Sequence, residues 1–309
     1  MKTLSVVSGC YNEEDNVQEL YAQLCAVFSE LPQYAVEFIF IDNASSDNTV
    51  ALLRELAASD KRVKVIVNAR NFGAVRSGYY ALMQASGDAV IGMASDLQDP
   101  PHLIKEFIAK WEQGYKTVLA IKTHSKESRL FYLLRTAYYS TVKRLADIEL
   151  NPHSTGFGLY DRQVIDILRG LNDPYPYFRG LISDIGFESA KISFTQPQRK
   201  RGITKNNFYT LYDLAMLGLT SHSKVPLRLA AMLGFAMSLL SLFTAIGYFI
   251  YKLIFWYNFP VGQAPIVIGL FLFSSVQLFF IGILGEYIGA IHTQVLHRPL
   301  VVEKERINF

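Results

Sequence analysis

The chain has 309 residues, of which 50% are hydrophobic and 18% charged, with 30 Lys and Arg against 27 Asp and Glu. Such a composition excludes a disordered or coiled-coil protein. A net charge of +3 gives no global sign of a nucleic-acid binder, and two cysteines, Cys10 and Cys25, supply neither a disulfide framework nor a metal-ligand cluster.

In chain order, residues 4–8 read as a short buried strand, not a signal peptide, because polar residues arrive at Tyr11, Asn12, Glu13 and Glu14. Residues 16–30 have helical periodicity through Val17, Leu20, Leu24, Val27 and Phe28. Residues 36–42 form a buried-type strand ending in Asp42, and Asp47, Asn48 and Thr49 open the next helix. A strand at 63–67, a helix at 76–85 and a strand at 89–93 follow. Strands alternating with helices predict βαβ units, an α/β class and a mostly parallel sheet. Ligands of such sheets bind at the carboxyl ends of the strands.

Residues 128–147 interleave Leu130, Phe131, Leu134 and Tyr138 with Arg129, Arg135, Lys143 and Arg144. That pattern suits an amphipathic helix lying in a membrane interface, or a core helix with one solvated face. Residues 207–219 have a similar character. Two uncharged runs, 229–251 and 264–285, each reach the roughly 20 residues that span a bilayer. The connector between them is short and uncharged, with Trp256 and Tyr257 where an aromatic belt would lie. Lys224 and Arg228 before the pair, and His292, His297, Arg298 and Lys304 after it, put both ends in the cytoplasm. The expected organisation is a catalytic domain at 1–205 and a juxtamembrane segment at 206–226. Two transmembrane helices follow within 227–292, at about 229–255 and 264–286, and then a cytoplasmic tail at 293–309.

The residues best suited to chemistry are Asp96, Leu97, Gln98, Asp99, Pro100 and Pro101. In extended backbone, Asp96 and Gln98 point the same way and offer oxygens to one hard cation, Mg²⁺ or Mn²⁺, bridged to a diphosphate. Asp99 reads as a helix N-cap with Pro100 at the first helical position. Asp42 stands at a strand end, ready to accept hydrogen bonds from a base or ribose, and Asp47 reads as a cap for the following helix. Arg199, Lys200, Arg201 and Lys205 form a basic run around Gly202 that suits phosphates or anionic headgroups. Gly73 and Gly78 have Walker-like spacing without the following Lys and Ser or Thr.

Taken together, these motifs resemble the dolichol-phosphate-mannose-synthase-like branch of family 2 glycosyltransferases, and above all bacterial bactoprenol glucosyltransferases. The resemblance runs through Tyr11 to Asn16, Asp42 to Thr49, Asn71-Phe72-Gly73, Asp96 to Pro101, Phe157 to Tyr160 and Arg199 to Lys205. It implies a GT-A fold and inverting sugar transfer from a nucleotide sugar to polyprenyl phosphate. It also implies roles. Tyr11 and Glu13 match nucleotide contacts, and Asp42 matches the residue reading the base or ribose. Asn71 and Ala94 fall in the nucleotide-sugar site, Asp96 and Gln98 match metal ligands, and Arg199 and Lys205 match cations on the diphosphate and acceptor phosphate. Lys122 stands where the family usually has Arg. Arg129 and Arg135 are candidates for the lipid phosphate from their place on the amphipathic helix.

Five positions depart from the family pattern. Ala94 replaces an Asp of the donor-metal site, Gly9 a Pro, Gly158 an Arg, and Asn43-Ala44 an Asp-Gly pair. Ala94 keeps open a non-catalytic nucleotide-sugar-binding membrane protein as the alternative. Overall likeness favours UDP-glucose as donor, with GDP-mannose second, and a homo-oligomer is compatible with the sequence.

Overall fold

A computed structural model describes residues 1–124, 154–171, 173–197, 223–255 and 263–309, with 213, 216–218 and 220 between them. The amphipathic helix expected at 128–147, with Arg129 and Arg135, lies outside these residues. So do the basic run from Arg199 to Lys205, most of 207–219, and the connector with Trp256 and Tyr257.

The elements are β1 (Lys2–Cys10), α1 (Val17–Ser29), β2 (Tyr34–Asp42), α2 (Thr49–Ser59), β3 (Val63–Asn68), α3 (Ala74–Gln84) and β4 (Ala89–Ala94). Next come α4 (Ile104–Glu112), β5 (Thr117–His124), β6 (Ser154–Asp161), α5 (Arg162–Leu171), α6 (Phe178–Asp184) and β7 (Ser189–Thr195). The chain ends in α7 (Val225–Ile254), α8 (Gln263–Val295) and β8 (Glu303–Ile307). The eight strands form one sheet in the order β7-β5-β6-β4-β1-β2-β3-β8. β1 pairs in parallel with β2 and β4, as do β2 with β3 and β5 with β7. The β4–β6, β5–β6 and β3–β8 pairs are antiparallel. The sheet is mixed and mostly parallel, as the βαβ pattern predicts.

Both faces are covered, so the central strands are mostly apolar. Alternation along β2 sends Phe38 and Phe40 to one core layer and Ile39 and Ile41 to the other. The first layer packs on α1, whose Val17, Leu20, Leu24, Val27 and Phe28 are all buried. Tyr79 and Leu82 of α3 and Val164 and Leu168 of α5 close the second.

One buried charge interrupts this core. Glu37 is 6% exposed and accepts hydrogen bonds from Ser5 Oγ, from Ser86 N–H (2.6 Å) and Oγ (2.8 Å), and from Lys64 Nζ (2.6 Å). Burial pushes its pKa up, but Lys64, Ser5 and Ser86 outweigh that and hold it below the ordinary glutamate value.

The C-terminal residues, expected as a separate tail, build the sheet's last strand. β8 pairs with β3, and Ala69 N–H donates to Val302 C=O at 2.8 Å. Arg54 forms an ion pair with Glu305, Tyr80 Oη donates to Glu303 at 2.9 Å, and Asn308 Nδ2 donates to Ala57 C=O and Val63 C=O. Charged residues on β8 also suit an outer strand, because they discourage pairing with another chain.

Helices α7 and α8 have 30 and 33 residues, or about 45 and 50 Å at about 1.5 Å per residue. Both are long and apolar enough to cross a membrane, and their described side chains are almost all exposed, including Phe235, Leu240, Phe243, Leu278 and Phe279. A core helix of a soluble domain would be buried. α8 runs on to Val295, beyond the expected 286, and the helical path breaks only where His297 turns left-handed (φ 45°) ahead of Pro299.

Glu37→Gln is expected to lower stability at pH 7 by about 2 kcal/mol, since it leaves Lys64 without its carboxylate. Glu37 titrates below its unfolded value, so its contribution is full above that value and is lost as pH falls through the folded pKa. Urea unfolding across pH should therefore show the wild type and variant converging in acid. A constant gap would refute the assignment.

Candidate active site

Parallel pairing places the carboxyl ends of β1, β2, β3 and β4 on one edge. Cys10 lies beside Asp42, Asp42 beside Val67, and Gly9 beside Ala94. The loops leaving this edge include three non-glycine residues with left-handed backbone: Asn12 (φ 55°), Ala44 (φ 61°) and Leu97 (φ 61°). Such conformations persist only where the surroundings impose them, and they concentrate at functional sites.

The first two loops are laced together. Asn12 N–H donates to Ser45 Oγ and Ser46 N–H to Asn12 Oδ1, each at 2.8 Å. Glu13 N–H donates to Thr49 Oγ1 at 2.9 Å, and Asn48 N–H to Glu14 Oε2 at 2.9 Å. Asp42, 0% exposed, accepts from the N–H (2.9 Å) and the hydroxyl of Ser45. Burial outweighs these bonds and raises its pKa. The Glu13 carboxylate is buried and accepts from Asn16 Nδ2 at 2.6 Å, while Tyr11 beside it is half-buried. Asp47 Oδ1 accepts from the N–H and hydroxyl of Thr49 at 3.0 and 2.6 Å, while the N-cap position itself falls to Asn48, whose side chain makes no capping bond.

A second lattice, which sequence reasoning missed, joins β2 and β3 to the start of α3. Asn43 Oδ1 accepts from Phe72 N–H (2.9 Å) and Asn68 Nδ2 (3.1 Å), and Asn43 Nδ2 donates to Asn71 Oδ1 (2.8 Å). Asn71 Oδ1 also accepts from Gly73 N–H at 2.8 Å. An Asn directly after each of two strands was the available signal.

The loop after β4 differs from its expected geometry. The strand stops at Ala94 and Leu97 turns left-handed, so Asp96 and Gln98 do not follow strand alternation. Asp96 Oδ1 accepts from Gln98 N–H at 3.2 Å, forming a tight turn, and Gln98 Nε2 donates to Pro197 C=O at 3.3 Å. Asp99 is not the expected N-cap either. The helical turn begins at Pro101 without a side-chain cap, and Asp99 Oδ2 instead folds back to accept from Ala94 N–H at 2.8 Å. Asp99 is 4% exposed, and burial, with the charge of Asp96 adding to it, pushes its pKa up to about 7.

Ala94 and Asp99 line a cleft of 520 Å³. Its floor is small (Gly9, Gly92, Gly156), while Tyr79, Tyr177 and Phe178 supply aromatic wall. Lys122 lies on β5, which β6 separates from β4. Among the described residues, no group of three or more His, Cys, Asp or Glu side chains is placed to hold a metal ion. Asp96 and Gln98 fit a hard cation only if diphosphate and water complete its shell.

Residues 5–168 match the model of glycosyl transferase family 2. The chain belongs to this family. A glycosyltransferase of Bacillus subtilis called YkcC, itself uncharacterised, is 34% identical over 300 residues, covering 96% of this chain and 92% of its own. A bactoprenol glucosyl transferase of Shigella phage SfV is 32% identical, covering 97% and 98%. Among solved structures, the mannosyltransferase PcManGT of Pyrobaculum calidifontis, in complex with GDP-Man and Mn²⁺, has a TM-score of 0.47 and 16% identity over 94% of this chain and 86% of its own.

The departures of this family 2 glycosyltransferase differ in how tightly they are packed. At Gly158 on β6, where relatives of the resembled branch carry Arg, a Cβ would lie 2.3 Å from Val118 C=O, so no larger residue fits without a backbone shift. Ala94 is exposed to the cleft, and the carboxylate of Asp99 is bonded to its N–H.

Asn43→Ala removes the partner of Asn68, Asn71 and Phe72. It is expected to destabilise the glycosyltransferase by about 2 kcal/mol and to speed amide exchange at residues 69–73. Unchanged exchange there would show that the lattice does not hold the loop.

Proposed function

We propose that this protein transfers glucose from UDP-glucose to polyprenyl phosphate, with inversion, at the cytoplasmic face of the cell's inner membrane. The observation that carries the reading is the joining of a family 2 cleft to two exposed apolar helices in one chain. Near-full-length similarity to bactoprenol glucosyl transferases of Shigella phages supports the acceptor. The same likeness favours glucose over mannose. Basic residues at both ends of the helix pair support the cytoplasmic placement of the cleft.

The charges support a mechanism without a general base. A phosphate monoester has its second pKa at about 6 and is largely dianionic at pH 7. Its oxygen attacks the anomeric carbon from the face opposite the leaving group. The carbon–oxygen bond to the nucleoside diphosphate breaks, and that group leaves with the bonding pair. The laced loops after β1 and β2, with Tyr11, Glu13, Asp42 and Asn71, hold the nucleotide. Asp96 and Gln98 would hold Mg²⁺ or Mn²⁺, which would supply charge neutralisation for the departing diphosphate. Gln98 is bonded to Pro197, just ahead of Arg199 and Lys205 in the chain, which supports a role for those cations on the same phosphates. Arg129 and Arg135 remain proposed contacts to the lipid acceptor.

Asp96→Ala is expected to lower transfer at least about 100-fold. The assay incubates membranes with polyprenyl phosphate, Mg²⁺ and a panel of labelled nucleotide sugars, then extracts lipid-linked product. Turnover near wild type in the variant would remove the metal assignment. A product from GDP-mannose alone would replace the donor.

A further inference from the structure

Beside Phe72, a residue of the cleft wall, lie cations that the reading above leaves unused. Helix α3 starts after Gly73, whose φ of 85° suits only glycine, and residues 72–75 line the cleft. Its first intrahelical bond runs from Ser77 N–H to Gly73 C=O at 3.1 Å, so the N–H groups of Ala74, Val75 and Arg76 precede the ladder. The ring of Phe72 bears two guanidinium groups, Arg70 at 4.0 Å and Arg76 at 5.4 Å from its centre. Arg76 reaches across to donate to Pro299 C=O, in the segment that leaves α8, and its buried Nε has no hydrogen-bond partner. Arg298 adjoins Pro299, and its charge and that of Arg70 both act on Arg76. None of the three arginines forms an ion pair among the described residues.

Three cations gathered around a buried, unpartnered N–H make a positive field that an anion relieves. A helix N-terminus beside them adds to the same field. A phosphate satisfies both, because its several oxygens accept from a guanidinium fork and from backbone N–H groups at once. The cluster lies on the side of α3 that meets the end of α8, whereas the laced nucleotide loops lie on the β1 and β2 side. That placement favours a phosphate arriving from the membrane. Resting on the acceptor reading above, we propose that Arg70, Arg76 and Arg298, with the first turn of α3, bind the phosphate of the lipid acceptor as it enters the cleft.

The test uses the full-length protein with Arg70→Gln, Arg298→Gln and Arg76→Gln. The first two residues are exposed, so those variants should keep the fold if the third does not. Losing one charge-assisted contact to the phosphate should raise KM for polyprenyl phosphate about tenfold, while KM for the nucleotide sugar stays within about twofold. Flotation with vesicles of a zwitterionic lipid doped with polyprenyl phosphate should show the same loss of binding, and the same vesicles doped instead with phosphatidylglycerol should show little. A rise in nucleotide-sugar KM alone would make this a donor-diphosphate site and overturn the proposal. Equal loss on both kinds of vesicle would make it a general membrane patch and overturn it too. If the wild type transfers no sugar to polyprenyl phosphate, the functional reading fails. The inference then stands or falls on whether the wild type still binds polyprenyl phosphate vesicles better than the variants.

Discussion

Parallel pairing of β1 with β2 on one side and β4 on the other is the interaction on which the site depends. Parallel strands present the same end to the same edge, so the loops after Cys10, Asp42, Asn68 and Ala94 all leave together. No single loop makes the cleft. Asn12 needs Ser45, Glu13 needs Thr49, and Asn43 needs Asn71, each supplied by a different loop. The left-handed residues Asn12, Ala44 and Leu97 are tolerable because this lacing holds them.

The edge also explains why buried carboxylates behave differently within one domain. Glu37 sits at the amino end of the sheet with a lysine and two serines, and its pKa falls. Asp42 and Asp99 sit at the carboxyl end, where burial outweighs the hydrogen bonds they accept, and theirs rise. The first arrangement suits stability. The second sets two carboxylates at the loop edge of the sheet, and one of them, Asp99, lines the cleft.

The C-terminal segment ties the cleft to the apolar helices. After α8 the chain passes Arg76 at Pro299, crosses to β3 as β8, and ends with Asn308 bonded to Ala57 and Val63. Ahead of that segment, Tyr287 Oη donates to Ser223 C=O at 2.7 Å and Gln294 Nε2 to Asp173 at 3.0 Å. The helix pair is therefore attached through several hydrogen bonds and a strand, not through a tether.

Local pattern was enough for the α/β class, the first four strands, the five buried residues of α1 and the two long apolar helices, because periodicity and uninterrupted apolar runs are written residue by residue. It also singled out the loop from Asp96 to Pro101. Its geometry was not legible: the left-handed turn at Leu97 and the retreat of Asp99 to Ala94 N–H depend on neighbours from β1 and the end of β7. Strand β8 was invisible because Glu-Lys-Glu-Arg-Ile has no apolar alternation; the unpaired edge of β3 makes it a strand. The arginine cluster was equally hidden, since Arg70 and Arg76 lie more than two hundred positions from Arg298 in the chain. Sequence alone determined the first four strands, their helices and the two apolar runs, because those follow from local chemistry. Only the tertiary structure decided which loops meet at one edge, since strand order and pairing partners are properties of the whole sheet.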